Sequence, residues 1–250
     1  MKRIVITSIS IMLGFFTLAQ DPILTTHEDS DKSAYTAELN KHNETSEDNM
    51  SSALNIGVLD RDGNSYKVVK IGDQIWMAEN LRTTKFKDGT EIPLASDYKE
   101  WSNRLSPGYC WYFNKENYKN EYGALYNWYT VNTDKLCPSG WHVPSTEEWM
   151  KMISYLDEDK AGGELKEKGT KFWMSPNTGA TNAIGFTALP GGSRGTLGSF
   201  FDEGLRGYWW SSTESDQNRA WYSALGYSSE KVTGSSDNKK GGLSVRCVKD

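Results

Sequence analysis

Residues 145–156 read Ser145-Thr146-Glu147-Glu148-Trp149-Met150-Lys151-Met152-Ile153-Ser154-Tyr155-Leu156. Ser145 followed three residues later by Glu148 is a capping box, in which each side chain bonds the backbone N–H of the other residue, so a helix begins here. The apolar side chains that follow are spaced i, i+3, i+4 and i+7: Trp149, Met152, Ile153 and Leu156. This spacing places them on one face and predicts a helix that packs against a core.

Hairpins are predicted before this helix. Residues 65–71 and 74–77 have the composition of two strands, and the two residues between them, Gly72-Asp73, are typical of a tight turn. Asp88-Gly89 predicts the turn of a second hairpin in the same way. The first part of the domain is therefore expected to contain small antiparallel sheets.

A second helix and a loop-rich C-terminal third complete the predicted elements. Leu125, Trp128 and Tyr129 have helical spacing within residues 123–131. After Gly169, glycine and proline residues mark long loops. Short strands are then predicted at four places: residues 208–212, 220–225, 230–233 and 243–248. Hairpins, two main helices, long loops and terminal strands together predict an α+β domain.

Length, charge and composition exclude several classes of protein. The chain has 250 residues, 37% of them hydrophobic, with a net charge of −5 and three cysteines. This apolar content supports a folded core, whereas the acidic balance disfavours a nucleic-acid-binding protein and three cysteines are too few for a disulfide-built scaffold. All ten tryptophans and 22 of the 23 glycines follow Ile56, which places one folded domain at residues 56–250.

The residues before this domain have the features of an export signal and a spacer. A positively charged start and an apolar run over residues 4–18 precede a cleavage-like site ending at Ala19, so residues 1–19 are predicted to be a signal peptide. Residues 20–55 contain eight acidic and two basic residues, a net charge of −6, and are predicted to be an acidic flexible leader. The apolar run is shorter than a membrane span needs, so we expect an exported protein without a transmembrane span: periplasmic, cell-surface or secreted.

The cysteine count leaves the disulfide pairing open. An exported protein can form disulfides, and three cysteines leave one unpaired. A bond between Cys137 and Cys247 would tie the start of the capped helix to the last predicted strand and leave Cys110 as a buried thiol. We prefer this pairing; a Cys110–Cys137 bond and three unpaired thiols are the alternatives.

Few residues suggest catalysis or metal binding. His142 is the single histidine of the domain, and because no orienting acid or oxyanion site is marked near it, we interpret it as a structural, hydrogen-bonded histidine. One histidine without a cysteine pair at ligand spacing does not make a zinc site. Residues 60–64 resemble the start of a calcium loop but lack its later glycine and glutamate, so we interpret them as a turn. No catalytic residue, metal or cofactor is therefore predicted.

The aromatic residues of the C-terminal third have two interpretations. Most tryptophans lie at patterned positions and are expected in the core. Side chains alternate along a strand, so the strands around residues 208–210 and 221–222 should also direct some rings outward, where rings can stack on sugars or anchor a protein interface. Trp209, Tyr222 and Tyr227 are the predicted ligand-contacting residues.

Several segments, taken in order, resemble those of a known family. They are Asp62-Gly63-Asn64, Lys70-Ile71-Gly72, residues 74–84, residues 122–129, residues 137–144, residues 185–192, residues 208–214 and residues 244–248. The family that they resemble is the Fibrobacter succinogenes major paralogous domain, over about residues 60–250. The resemblance implies an exported bacterial protein with no established enzymatic activity.

A more distant resemblance bears on the fold. Tyr126-Asn127-Trp128, residues 143–149 and Val245-Arg246-Cys247 are similar to the formylglycine-generating, sulfatase-modifying group. That group implies a C-type-lectin-like fold, with two helices beside small twisted antiparallel sheets and long loops on one side. Its enzymes carry a reactive cysteine pair near the C-terminus, whereas Cys247 is the single cysteine of the C-terminal third here. The calcium-dependent sugar motifs of true C-type lectins are also missing.

These observations lead to one leading expectation for the function and two alternatives. The leading one is an exported, non-catalytic binding or surface-interaction domain, whose loops within residues 170–242 contact a glycan or an envelope protein. One alternative is an enzyme, either a carboxylate-based hydrolase or a divergent relative of the formylglycine-generating group. The other alternative is a structural spacer module.

Overall fold

The computed structural model describes residues 57–250. The predicted signal peptide (1–19) and acidic leader (20–55) therefore lie outside the described residues. Within residues 57–250, thirteen short strands, five α-helices and two short 3-10 helices form an α+β domain in which sheets predominate. None of the helices in this part of the chain is long and apolar enough to cross a membrane.

Most elements are short, and the longest strands lie in the C-terminal third. The strands are β1 (Val58–Leu59), β2 (Ser65–Tyr66), β3 (Val68–Ile71), β4 (Gln74–Met77), β5 (Tyr109–Cys110), β6 (Leu125–Tyr126), β7 (Trp141–His142), β8 (Gly191–Arg194), β9 (Phe200–Glu203), β10 (Arg206–Glu214), β11 (Arg219–Gly226), β12 (Val232–Asn238) and β13 (Val248–Lys249). The α-helices are α1 (Tyr98–Asn103), α2 (Lys119–Tyr122), α3 (Trp128–Val131), α4 (Thr146–Leu156) and α5 (Ala161–Leu165).

Helix α4 forms as predicted. Ser145 Oγ accepts the N–H of Glu148 at 3.2 Å, and Glu148 Oε2 accepts the N–H of Ser145 at 2.8 Å, so the capping box is complete. The side chains of its apolar face are buried or partly buried: Trp149, Met152, Ile153 and Leu156. This face packs on the central sheet. Helix α4 is therefore stabilised both by its capping hydrogen bonds and by the burial of its apolar face.

The central sheet has five strands in the order β12-β11-β10-β8-β9, with one parallel pair, β10–β8. The predicted strands at 208–212, 220–225 and 230–233 appear as β10, β11 and β12, although β12 lies further along the chain. Trp209 and Trp210 are neighbours in β10, so their side chains point to opposite faces. Trp209 joins the cluster of α4, and Trp210 joins a second cluster that contains Trp128. Both faces of this sheet are therefore covered.

A second sheet, in the order β3-β4-β13-β7, brings the final strand against the first hairpin. β3 and β4 pair around Gly72-Asp73 as predicted. Val248 of β13 pairs with Trp76 on one side and His142 on the other. The remainder of the last predicted strand, residues 243–247, is not a regular strand, although it is buried and its backbone bonds to the segment that follows β4.

Two predicted turns are present. Asp88-Gly89 closes a short hairpin with a bridge between residues 85 and 91. Residues 60–64 form the turn between β1 and β2, in which Asp60 Oδ1 accepts the backbone N–H groups two and four residues ahead, each at 2.9 Å. The interpretation of this calcium-loop-like segment as a turn is therefore confirmed.

The predicted helix over residues 123–131 is wrong in its first half. Leu125 belongs to β6, and α3 begins only after Asn127, whose side chain accepts the N–H of Thr130. Gly123 has φ 75° and ψ −163°, a conformation that glycine adopts readily and that interrupts a helix. Leu125 and Trp128 are buried in different clusters. Their i, i+3 spacing therefore does not indicate that the two side chains share one face of a helix.

The disulfide joins Cys137 and Cys247, and Cys110 is a buried free thiol. The preferred pairing is confirmed, and the two alternatives are wrong. The bond links the segment before α4 to the residue before β13, across 110 residues of sequence. Burial raises the pKa of Cys110 to about 12, although the nearby Arg194 acts to lower it, so this thiol is protonated and unreactive at neutral pH.

Buried polar side chains hold the irregular segments together. Asn80 is 6% exposed and connects α2, β10 and the irregular segment 243–247. Its Nδ2 donates to the carbonyl of Tyr122 at 2.8 Å and to Ser244 Oγ at 3.3 Å, and its Oδ1 accepts from Trp209 Nε1 and Arg246 Nε. Buried polar groups outside helices and sheets lack regular backbone partners and need other hydrogen-bond partners. A single side chain such as Asn80 supplies hydrogen bonds to several of these groups.

Candidate functional site

The structure does not present Trp209 to solvent. Its side chain is 1% exposed, and its indole N–H donates to Asn80 Oδ1 at 2.8 Å. The ring lies 6.4 Å from that of Trp149 in α4. The prediction that this ring points outward is wrong, because it assumed an open sheet face and α4 covers the face that carries Trp209.

The two tyrosines predicted with it are partly buried and belong to different clusters. The ring of Tyr222 packs edge-on against that of Tyr208, at 5.6 Å between centroids. Tyr227 packs instead against the cluster that contains Trp209. The structure therefore does not bring the three predicted rings together in one open pocket, and ligand contact by Tyr222 or Tyr227 stays a prediction.

Exposed aromatic side chains are concentrated around the hairpin of β8 and β9. Three of the five large aromatic side chains that are exposed within residues 57–250 lie on this hairpin or pack against it. We define the hairpin surface by four side chains with these exposed fractions: Tyr98 53%, Phe113 48%, Leu197 78% and Phe201 51%. Residues 195–201, which form the hairpin loop and the start of β9, contain no charged side chain.

Arg194 forms the base of this surface. Its guanidinium lies 4.5 Å from the ring centroid of Trp101, 5.0 Å from that of Phe200 and 5.7 Å from that of Tyr98. Its N–H groups donate to the backbone carbonyls of residues 95, 96 and 198. A cation against ring faces stabilises their arrangement. Arg194 therefore fixes the start of α1 and the hairpin loop in one rigid support.

Phe113 is held in an uncommon backbone conformation. Its φ of 51° and ψ of 20° lie in the left-handed region, which aromatic residues seldom adopt. Its ring packs on those of Tyr112 and Phe200, at 4.6 and 5.5 Å, and still stays half-exposed. The side chain of the next residue, Asn114, donates to the Ser96 carbonyl at 2.7 Å and fixes the turn. Conformations of this kind persist only where the surroundings hold them, and they are concentrated at functional sites.

Two glycines let the hairpin loop pack against the rings of the surface. Gly198 has φ 92°, and a Cβ at this position would lie 2.7 Å from the ring of Tyr98. A Cβ at Gly195 would lie 2.9 Å from the ring of Phe201. The positive φ of Gly198 and the short distance make glycine necessary there, whereas a larger residue at position 195 would require the exposed ring of Phe201 to shift.

His142 is hydrogen-bonded through both ring nitrogens. Nδ1 lies 2.6 Å from Asp250 Oδ1, and Nε2 lies 2.7 Å from Glu148 Oε1. Partial burial acts to lower the pKa of His142, but the bonds to Asp250 and Glu148 outweigh it and raise the pKa above its ordinary value. The predicted hydrogen bonding of this histidine is therefore present, and its carboxylate partners are Asp250 and Glu148.

The hairpin surface provides shape and apolar contact rather than reactive chemistry. Its four side chains carry one hydroxyl and no charge. Among the residues that the structure describes, no group of three or more His, Cys, Asp or Glu side chains could hold a metal ion. The arrangement can offer a partner exposed rings on a fixed support.

The sequence reasoning missed this surface, although one signal was present. Phe200-Phe201 in a strand places one ring on each face, so one of the two is directed away from the core. The preceding Gly195-Thr196-Leu197-Gly198 has the composition of a turn. Tyr98 and Phe113 are about 90 to 100 residues earlier in the chain, and only tertiary contacts bring them to the hairpin.

Comparison with known proteins places most of the chain in one family. The chain matches no curated protein and no solved structure. A family model described as the Fibrobacter succinogenes major domain matches residues 69–249, from β3 to β13. Because this match covers well over half of the chain, the protein belongs to the Fibrobacter succinogenes major domain family.

Proposed function

We propose that this protein is an exported, non-catalytic binding domain whose hairpin surface contacts a protein of the cell envelope. The observation that carries the proposal is the concentration of half-exposed aromatic and apolar side chains on and around a hairpin loop, residues 195–201, that contains no charged side chain. Exposed apolar groups clustered in this way mark interaction sites. The cores of protein interfaces are likewise rich in aromatic residues and poor in charged ones.

A protein partner is favoured over a glycan by the chemistry of the four side chains. Phe113, Leu197 and Phe201 have no hydrogen-bonding groups, and Tyr98 has one hydroxyl. A sugar presents hydroxyl groups on every side, and these need polar partners when they lose water. Apolar side chains of a partner protein have no such requirement, so they fit this surface better.

Export is supported by two features. Residues 1–19 have the composition of a signal peptide, and the disulfide between Cys137 and Cys247 is of a kind that persists in oxidising compartments. Mass spectrometry of the protein recovered outside the cytoplasm should give a mature N-terminus at Gln20. Recovery of the intact N-terminus from the cytoplasm alone would contradict export.

The absence of catalysis is proposed from the state of the cysteines. Cys247 is bonded to Cys137, and Cys110 is buried with a raised pKa. Neither can act as the reactive cysteine of the formylglycine-generating group without rearrangement. Incubation with a cysteine-containing sulfatase peptide should leave the peptide mass unchanged, and a mass change at that cysteine would favour the enzyme.

We also infer a C-type-lectin-like arrangement as the finer description of the α+β fold. Small twisted antiparallel sheets, a capped helix against them and long loops over residues 166–190 support this inference. An experimental structure that superposes on a C-type-lectin-like domain with the same strand connections would test it. A different strand order in that superposition would exclude it.

The binding proposal is tested with a photo-crosslinking amino acid at Phe201 in the full chain, expressed in its own cell envelope. The crosslinked partner is identified, purified and bound to the unmodified protein to give a dissociation constant. We expect Phe113→Ser combined with Leu197→Ser to weaken this binding at least tenfold, because few central apolar side chains carry most interface energy.

The matched control replaces two equally exposed side chains of α4, Met150→Ser and Tyr155→Ser, which are 65% and 66% exposed. This variant should bind within about twofold of the unmodified protein, since surface changes away from an interface have small effects. Equal weakening by both variants would contradict the hairpin surface as the site. Binding to a glycan array that depends on Phe113 would replace the protein partner by a glycan, and no crosslinked partner would favour a spacer.

A further inference from the structure

A small polar cleft lies beside α2, and it shares no residue with the hairpin surface. Its volume is about 100 Å³, and its lining includes Asn80, Lys119, Asn120, Thr187 and Arg246. Sites for drug-sized ligands are about 300–1,000 Å³. This cleft can therefore take a small ion or the terminal group of a larger ligand.

Arg246 forms the floor of the cleft and lacks a carboxylate partner. Its side chain is 1% exposed, and it donates from Nε to Asn80 Oδ1 at 2.9 Å, from Nη1 to the Phe186 carbonyl and from Nη2 to the Thr187 carbonyl at 2.8 Å. A guanidinium has five N–H groups, so two remain without a protein acceptor within the described residues. Phe186 is fully buried, whereas Thr187 is partly exposed and lines the cleft, so the Nη2 end lies nearest the opening.

Two other fully buried cations of the domain use their N–H groups more completely. Lys166 is 0% exposed and donates three hydrogen bonds, to the carbonyls of Thr178, Gly226 and Ser229. Arg194, also 0% exposed, donates to four carbonyls, including that of Asp97. Arg246 differs from both because it keeps unused donors at the wall of a cleft.

The side chains that line the cleft carry a net charge of +1. Three basic and two acidic side chains line it. Glu79 accepts the N–H of Lys67 and pairs with Arg82 at 2.9 Å, so these two neutralise each other. Glu121 is exposed on α2, and Lys119 lies over the ring of Trp111. Arg246 is therefore the buried cation whose charge a ligand would neutralise.

We propose that this cleft, which we name the Arg246 cleft, binds one carboxylate group through the free N–H groups of Arg246. A planar carboxylate pairs with a guanidinium edge in a directional, charge-assisted way. A single negative charge matches the net charge of +1 on the lining, and the small volume admits the carboxylate group but not the rest of a larger ligand. Such a group can belong to an acidic sugar or to a peptide.

The test is an NMR titration of the ¹⁵N-labelled full-length mature chain with sodium acetate, against sodium chloride at equal concentration. We expect saturable shifts of the Arg246 Nε–H and of the Gly123 and Thr187 amides, with a dissociation constant in the millimolar range. Glucuronate and N-acetylglycine should shift the same signals, and the tighter of the two identifies the source of the carboxylate as sugar or peptide.

A charge variant at the mouth of the cleft keeps the test independent of folding. Asn120 is exposed and lines the cleft, so Asn120→Glu should weaken acetate binding at least threefold by repulsion. The matched control is Asn117→Glu, an exposed residue of the preceding turn that does not line the cleft. Four results would each overturn the proposal: equal effects of the two variants, equal shifts with chloride, a response to inorganic phosphate alone, or no saturable shift. None of these outcomes bears on the hairpin surface.

Discussion

Lys166 is buried without a carboxylate, and three backbone carbonyls take the place of a counter-ion. The carbonyls of Thr178 and Ser229 lie in loops, and that of Gly226 is at the end of β11. Burial lowers the pKa of Lys166 to about 8. Lys166 therefore holds these backbone segments together. Because the side chain is buried, its replacement should lower the free energy of unfolding rather than change the surface charge.

Lys166→Met should lower the free energy of unfolding by about 2–4 kcal/mol, because three buried carbonyls lose their donor. Urea denaturation followed by tryptophan fluorescence measures the change. Lys168→Met is the matched control at an exposed position and should change the free energy by less than about 0.5 kcal/mol. Equal effects of the two variants would show that the carbonyl contacts of Lys166 contribute nothing.

His142 joins Glu148 of the capping box to Asp250, and this contact makes the stability depend on pH. NMR titration should give a pKa above about 6.5, the ordinary value for histidine. Because the folded pKa is raised, the contribution is complete below the unfolded pKa and is lost as the pH rises through the folded pKa. His142→Gln should remove this pH dependence.

Asp250→Asn provides the comparison for the same titration. It removes one of the two carboxylates that raise the pKa of His142, so the pKa should fall towards its ordinary value. A His142 pKa at or below the ordinary value in the unmodified protein would show that the two carboxylate contacts do not form in solution.

At the scale of elements, α4 is stabilised by local hydrogen bonds and by one buried face. The capping box satisfies N–H groups at the first turn that the helix itself leaves unpaired. The β8–β9 hairpin differs, because its loop conformation depends on Arg194 and on rings contributed by α1 and residues 112–113. One element is determined by its own sequence, and the other requires its neighbours.

Ser145→Ala should lower the free energy of unfolding by about 1 kcal/mol, the usual cost of losing a helix cap. Ser154→Ala, at an exposed position within the same helix, is the matched control and should change it by less than about 0.5 kcal/mol. Thermal and urea unfolding of both variants provide the measurement. A control that is as destabilising as Ser145→Ala would mean that the cap itself is not the cause.

At the scale of the whole domain, the disulfide joins regions that are far apart in sequence. Cys137 precedes α4, and Cys247 precedes β13, so the bond connects the helix layer to the sheet that the last strand completes. Cross-links that close long loops restrict the unfolded chain most. The short strands of this domain therefore gain a covalent constraint that their few ladder hydrogen bonds do not supply.

Cys137→Ala combined with Cys247→Ala should lower the free energy of unfolding by about 5 kcal/mol, from the entropy of a closed loop of this length. A thiol-reactive dye should label no cysteine in the native protein and one, Cys110, after denaturation. Labelling of Cys110 in the native state would contradict its burial, and two further reactive thiols after denaturation without reductant would contradict the disulfide.

Tertiary contacts decided which aromatic side chains are buried and which form the hairpin surface. The burial of Trp209 depends on which sheet face α4 covers, and the failure of the predicted helix over residues 123–131 depends on the pairing of β5 with β6. The hairpin surface combines Tyr98, Phe113 and Phe201, which are separated by up to about a hundred residues. Sequence spacing contains no information on such contacts, because they arise from the order of strands and the packing of layers.

Features that depend on short-range chemistry could be predicted from the order of residues alone. The capping box and apolar face of α4, the Gly72-Asp73 turn and the Asp60 turn involve hydrogen bonds or spacings within a few residues, so they could be predicted directly. The family could be identified from the order of its segments. Only the tertiary structure decided which cysteines pair, which rings reach solvent and which cation lines a cleft. Each of these features depends on neighbours that are distant in sequence.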